Sequence, residues 1–376
     1  MKVLVTDGAN RVALAAVRAL GRAGARVTVV EQARFAARAP AAFVSRHAAR
    51  RDVLPSLEDE GAFVAALART ASDVDVILPV STNVVLACAR NRERLPARLP
   101  VPPLEVIRRA NDKSSALAAA RKAGVPIPPT WAPESEEEVE DLIVRIRLPA
   151  VVKLRDDEGT VLEPGLRYAI CETGDQVFRA WRRLHALRPF PLVQERVRGE
   201  GFGVGLVARD GRVLASVAHR RVREYPVSGG PSSCCETVDD PRLEELAARV
   251  IGAFGWTGAA MVEFKRDDEY RLMEVNPRFW GALPLAEAAG VNLPHLLARM
   301  AMGDEPASRP VPRAGVRLRF LPMDLAAAWS ALGDPVLRGR YLGGFLADLL
   351  DPGVRDGILE AGDLKASLAY LAGRLP

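Results

Sequence analysis

Two short segments near residue 270 constrain this 376-residue chain more than any other. Met261-Val-Glu-Phe-Lys265 and Arg271-Leu-Met-Glu-Val-Asn-Pro-Arg-Phe279 read as neighbouring strands joined by a turn at Asp267-Asp268. Residues two apart on a strand face the same side, so Glu274 and Asn276 project together, and Glu263 on the adjacent strand can join them. Two carboxylates and an amide oxygen suit Mg²⁺, a hard cation that keeps waters and shares its site with phosphate oxygens. The plain alternative is acidic decoration of a solvated sheet face. Against it, Met273 and Val275 flank Glu274 and Asn-Pro-Arg follows, which is unlike ordinary surface.

The rest of the chain divides by pattern. Lys2 to Thr6 reads as a buried parallel strand, Ala13 to Arg22 has helical spacing, and Arg26 to Val30 is a second strand ending at Glu31. A third strand, Val74 to Val80, runs into Ser81, the expected cap of the next helix. Parallel strands alternating with helices predict a doubly wound α/β domain over residues 1–103. The turn Asp7-Gly8-Ala9-Asn10 lacks G-x-G-x-x-G, which argues against a dinucleotide site. Pro96, Pro100, Pro102 and Pro103 mark a linker. From about Ala150, short strands joined by hairpin-like turns, with helices at Gly174 to Leu187 and Pro241 to Phe254, predict antiparallel sheets covered by helices. The expected divisions are 104–190, 191–312 and a helical segment over 313–376. The fold class is thus α/β followed by α+β.

Composition narrows the function. The chain is 49% hydrophobic with a net charge of +5 and a pI near 9.2, but its basic residues are interspersed with acidic ones. That pattern favours a small anionic ligand over nucleic acid. Cys88, Cys171, Cys234 and Cys235 form no CxxC pair, so reduced thiols and a cytoplasmic location are expected. No stretch resembles a signal peptide or reaches the roughly 20 apolar residues of a membrane span. His219 and Ser232 or Ser233 lack the G-x-S-x-G elbow of a hydrolase.

Two lysines stand out. Lys113 begins a helix, where a cation is mildly unfavourable, and Lys153 lies in an apolar strand, where an unpaired ammonium is costly. Together with Glu263 and the Glu274-x-Asn276-Pro-Arg278 run, Asn111-Asp112-Lys113, Val151-Val152-Lys153 and Leu192-Val-Gln-Glu-Arg-Val197 with Gly199-Glu200 resemble the ATP-grasp superfamily, in the same order along the chain. The similarity is nearest to its short carbamoyl-phosphate-synthase-like, carboxylate–amine ligase branch.

That resemblance implies ATP and Mg²⁺, with Mn²⁺ as an alternative ion, and roles for particular residues. Lys113 and Lys153 would meet phosphates, Gln194, Glu195 and Val197 would form the adenine hinge, and Glu200 would accept from the ribose. Glu263, Glu274 and Asn276 would hold the metal. Arg220 and Arg278 would hold the reacting anion, and His219, Arg223, Gly229, Gly230 and Ser232 would line the substrate loop. The implied reaction joins a small-molecule carboxylate to an amine through an acyl-phosphate, releasing ADP and phosphate. Homodimerisation is common among such relatives. Two other readings stay open: phosphorylation of carboxylate or carbamate without amide formation, and a nucleotide-binding scaffold that has lost turnover. The second arises because the hairpin between Lys153 and Tyr168 departs from the family's Gly-rich lid. It retains only Gly159 and Gly165, and carries Asp156, Asp157 and Glu158, which repel triphosphate unless they face solvent; Arg155 or Arg167 would replace the missing amides.

Overall fold

The apolar runs at the start of the chain form a parallel layer. In the computed structural model, which describes every residue except 38, 39, 157, 159–165, 228 and 374–376, β1 (Lys2–Val5), β2 (Arg26–Gln32), β3 (Ala48–Leu54) and β4 (Val76–Leu78) make an all-parallel sheet in the order β3-β2-β1-β4. Val3, Leu4 and Val5 are fully buried because helices cover both faces. β3 was absent from the predicted strands. It is an edge strand whose exposed Arg50, Arg51 and Val53 hide any alternation, as edge strands commonly do.

Strand order reverses between β1 and β4, and the loops after these two strands are locked together. Asp7, at a left-handed φ of 61°, accepts from the Ser81 amide (3.1 Å) and hydroxyl (2.7 Å). Ser81 therefore spends its side chain on this loop and makes no cap bond to the helix Thr82–Arg90, contrary to expectation. Glu31, at the end of β2, turns inward to accept from the amides of Ala9 (2.8 Å) and Gln32 (2.7 Å), and burial pushes its carboxyl up to about 7.

Two layers that are antiparallel, apart from one parallel pair at the edge of the larger, follow, so the structure has the mixed fold class expected. The smaller contains β5 (Thr130–Trp131), β6 (Ala150–Lys153), β7 (Tyr168–Cys171) and β8 (Leu192–Glu195), ordered β5-β8-β6-β7. The helices Glu136–Ile143 and Gly174–Leu187 share its core through Val139, Leu142, Trp181 and Leu184. The larger contains β9 (Glu200–Arg209), β10 (Arg212–Glu224), β11 (Ser232–Thr237), β12 (Gly258–Arg266), β13 (Tyr270–Asn276), β14 (Arg317–Arg319) and β15 (Arg355–Asp356), ordered β13-β12-β9-β10-β11-β14-β15. The last segment is therefore not wholly helical: β14 and β15 extend the sheet edge beside the helices Leu321–Ser330, Gly344–Leu350 and Leu364–Ala372. Strands of two and three residues are too short to carry a periodic signal.

The glycines of β9 acquire a structural reason. An added Cβ would stand 1.8 Å from the Trp280 ring at Gly205, 2.6 Å from His219 Cε1 at Gly203 and 2.9 Å from Arg221 Cδ at Gly201. One face of the strand is kept bare so that large side chains from its neighbours can lie across it. Arg18, on the first helix Arg11–Arg22, ties the parallel layer to the chain's end by bonding Asp363 Oδ2 (2.9 Å), Ile358 O (2.9 Å) and Ser367 Oγ (3.0 Å).

Candidate functional site

Between the two antiparallel sheets and the parallel layer lies a cavity of about 510 Å³, lined from all three. Its acidic floor follows directly from strand register. Glu263 on β12 pairs across with Glu274 on β13, and the Asn276 side chain donates to Glu263 Oε1 (2.9 Å) and Glu274 Oε1 (3.4 Å). Cations close the ring: Lys113 Nζ is 3.2 Å from Glu274 Oε2, and Arg221 bonds Glu263.

The two carboxylates differ electrically. Burial opposes ionisation of Glu274, yet Lys113 and Lys153 hold it down to about 2. At Glu263 burial prevails and, aided by the charge of Glu274, raises the pKa despite Arg221. Among the described residues no three His, Cys, Asp or Glu side chains converge as a protein-only metal cage. The donor set here, two carboxylates and an amide next to two ammonium groups, instead fits a divalent ion shared with phosphate oxygens. Positive charge already sits against both carboxylates, from Arg221 and Lys113, where such an ion would compensate them.

Lys153 projects from β6 and is 9% exposed; its ammonium donates to Gln194 Oε1 at 2.9 Å, and Gln194 in turn donates to Thr130 Oγ1 at 2.7 Å. Burial, reinforced by the neighbouring Lys113 charge, lowers the Lys153 pKa to about 8. A polyanion bound beside it would restore the charged form. Below pH 8 the lysine is already protonated and binding needs no proton; above pH 8 binding must take one up. Affinity for an ATP analogue is therefore expected to fall by up to about tenfold per pH unit between pH 8 and 10, with proton uptake visible by calorimetry in buffers of different ionisation enthalpy. Lys153→Arg, which keeps its charge, should flatten that profile; an unchanged slope would refute the assignment.

The remaining residues singled out in the sequence divide into those that reach the cavity and those that do not. Glu195 and Val197 line it, although the Glu195 amide is taken by Pro129 O at 3.0 Å. Val151, Ile170 and Met273 add apolar walls. Glu200 stands outside the lining, 3.9 Å from Arg220. His219, Gly229, Gly230 and Ser232 also line the cavity. His219 is 3% exposed, and burial together with the Arg221 charge lowers its pKa to about 3, so the imidazole is neutral.

Arg220 and Arg223 do not belong to this lining. Arg220 points to the other face of β10 and donates to Glu236 (3.2 Å), because alternation from His219 puts Arg221, not Arg220, on the cavity side. A bulge between Arg221 and Arg223 then reverses the face again. Arg223 is consequently buried against Asp324, at 2.8 and 2.6 Å. Arg221 was missed by sequence reasoning, although the two-residue period from His219 pointed to it. Arg278 does reach the cavity. It is braced by Asn276 Oδ1 (3.2 Å) and, from the helix after β4, by Thr82 Oγ1 (3.0 Å).

The acidic hairpin is partly described. Asp156 lines the cavity but pairs with Arg188 (2.8 Å), while Glu158 meets Arg108 (3.1 Å) and Arg90 (3.4 Å). These carboxylates are matched by arginines instead of all facing solvent. Arg155 is bound to Asp112 (3.0 Å), and Arg167 lines the cavity. Asp157, Gly159 and Gly165 lie outside the described residues.

Comparison with known proteins adds four findings. Residues 188–322 match the family described as ATP-grasp in the biosynthetic pathway with Ter operon. The carbamoyl phosphate synthase large chain of Methanoculleus marisnigri is 27% identical over 216 residues, 54% of this chain and 20% of that protein, so this chain spans about a fifth of that relative. Among solved structures, Campylobacter jejuni biotin carboxylase in its β,γ-ATP complex superposes with a TM-score of 0.66 at 19% identity, covering 84% of this chain and 74% of the other. Thermus thermophilus N5-carboxyaminoimidazole ribonucleotide synthetase gives 0.64 at 20% identity, covering 84% and 82%.

Proposed function

Because the chain belongs to the ATP-grasp superfamily, we propose that it is an ATP-dependent carboxylate–amine ligase working in this cavity. The observation that carries the reading is the ring of Glu263, Glu274 and Asn276 closed by Lys113 and Arg221, with Lys153 and Arg278 lining the same cavity.

The nucleotide base lies against Val151, Ile170 and Met273, and the phosphates meet Lys113 and Lys153. Glu263, Glu274 and Asn276 would hold Mg²⁺, which would supply charge neutralisation for the phosphates. A substrate carboxylate oxygen attacks the γ-phosphorus and the bond to the β-phosphate oxygen breaks, giving ADP and an acyl-phosphate. Arg221 and Arg278 hold that anion. An amine then attacks the carbonyl carbon, phosphate leaves with the C–O bonding pair, and the amine gives up its proton. Such chemistry rests on positioning and charge, which is why no nucleophilic side chain is required. The neutral His219 imidazole contributes a hydrogen-bonding surface without adding charge beside Arg221.

The likeness to a carbamoyl phosphate synthase large chain favours one further reading, phosphorylation of a carboxylate or carbamate that ends at the acyl-phosphate. Incubating the protein with ATP, Mg²⁺ and pooled amino acids, with ADP and phosphate followed together, separates the cases. Amine-dependent release of both supports the ligase. Release that ignores the amine supports the phosphorylating enzyme, and nucleotide binding without release overturns both.

A further inference from the structure

Two helices that follow β14 are built inside out. On Leu321–Ser330 the buried side carries Asp324, Ala327 and Ala328, while Leu325 and Trp329, one turn apart, face solvent, Trp329 with 75% of its surface exposed. On Gly344–Leu350 the buried side carries Phe345 and Asp348, while Leu346, Leu349 and Leu350 share the outer face, Leu350 at 86% exposure. A surface helix ordinarily buries its large apolar side chains and gives its acids to water. Here both acids face the protein and most of the large apolar side chains face out. None of the outward residues lines the cavity. We propose that this outer face is the contact surface for a second copy of the chain, in a two-fold homodimer.

Area, charge and packing point to the same occupant. The two helices touch, and their outward side chains, with the exposed Leu332 just past the first, present on the order of 500 Å² of apolar surface. A standard interface takes about 800 Å² from each partner, and between identical chains about 65% of it is apolar, so each half needs about 500 Å² of apolar surface. The rim carries both signs, with Asp334 and Asp351 exposed beside Arg338 and Arg340. Mixed charge is complementary to its own copy across a two-fold axis, whereas a rim of one sign repels it. A membrane-binding face would be bordered by Lys and Arg instead. On the inside, the helices meet around a small core of Ala327, Ala331 and Tyr341, so the outer face holds the larger share of their apolar surface. The same helices back the substrate loop: Val227 packs on that core, the Glu224 amide donates to the Tyr341 hydroxyl (3.4 Å), and Arg340 donates to Val222 O (3.2 Å). A partner seated on their outer face steadies that loop from behind.

Sedimentation velocity of the full chain tests the assignment. The wild type is expected to shift from monomer to dimer as its concentration rises toward about 100 μM, where an interface of standard size is occupied. Trp329→Glu and Leu350→Glu, on different helices, are each expected to weaken association by about 30-fold or more, the loss at a buried interface anchor. Both positions are exposed in the single chain, so far-UV circular dichroism should not change. Val144→Glu, equally exposed but at the end of the helix Glu136–Ile143 on the smaller sheet, should leave association intact. A wild type that stays monomeric at that concentration overturns the proposal, as does a dimer that both variants leave intact or that Val144→Glu weakens as much. So does a monomeric chain that sediments with vesicles of phosphatidylcholine and phosphatidylglycerol, the result expected of a membrane-binding face. None of these measurements involves ATP turnover, so the ligase reading stands or falls separately.

Discussion

Glu274→Gln will lower Mg²⁺-dependent ADP release by about 10²- to 10³-fold, the scale found when one preorganised electrostatic contact to a transition state is lost. The substitution removes charge at nearly constant shape. Glu274 faces Lys113 at 3.2 Å, lies opposite Glu263 in the ladder, and is held ionised down to about pH 2 in spite of its burial. The amide retains the volume and an oxygen for Lys113, but it loses half of the negative charge that a divalent ion would meet. Stability should fall by no more than about 1 kcal/mol, because the repulsion between two neighbouring carboxylates disappears along with one ion pair. A thermal melt run beside the ADP assay checks both halves. Normal turnover in this variant would remove the metal assignment, and unfolding would make Glu274 a structural residue.

The largest effect on stability is expected at Arg223→Ala. The side chain is 1% exposed and sits between Asp324 and Asp348, themselves 0% and 2% exposed. Ser233 Oγ donates to Asp324 Oδ1 at 2.9 Å, and Arg317 donates to Asp348 Oδ1 at 2.8 Å. Truncating Arg223 leaves Asp324 buried without its cation, a change that costs about 3–5 kcal/mol. The loss should appear as a lower midpoint in urea and as faster proteolysis within 321–350, the helices that carry both acids. Replacing the three charged residues together with apolar ones of similar volume should recover much of the loss, since a buried ion pair is costly to desolvate. If Arg223→Ala changed substrate affinity with no change in the urea midpoint, the substrate role suggested by sequence would be reinstated.

These two residues illustrate what could be read without coordinates. Glu274, Asn276 and Glu263 were legible because strand periodicity is local: once the hairpin is recognised, the pleat decides which side chains share a face. Lys153 was legible for a similar reason, as a charge in an otherwise apolar strand. Arg220 was expected at the reacting anion and Arg223 at the substrate loop, while Arg221 was overlooked, because phase along β10 depends on where it enters the sheet and on the bulge after Arg221. A single residue of slippage exchanges inside for outside. Glu200 suited a ribose by its type, but it stands outside the cavity lining, at the start of β9 in the larger sheet.

By itself, then, the sequence determined the class of the layers, the acidic hairpin and the lone strand lysine, all governed by patterns a few residues long. Only the tertiary structure decided that Arg221 closes the carboxylate ring, that the β9 glycines lie beneath Trp280 and His219, that Arg223 is a buried clamp, and that Arg11 reaches the cavity from the other end of the chain. Each of those contacts joins residues on different strands or layers. Its existence depends on the register and packing of whole elements, which no local window of sequence contains.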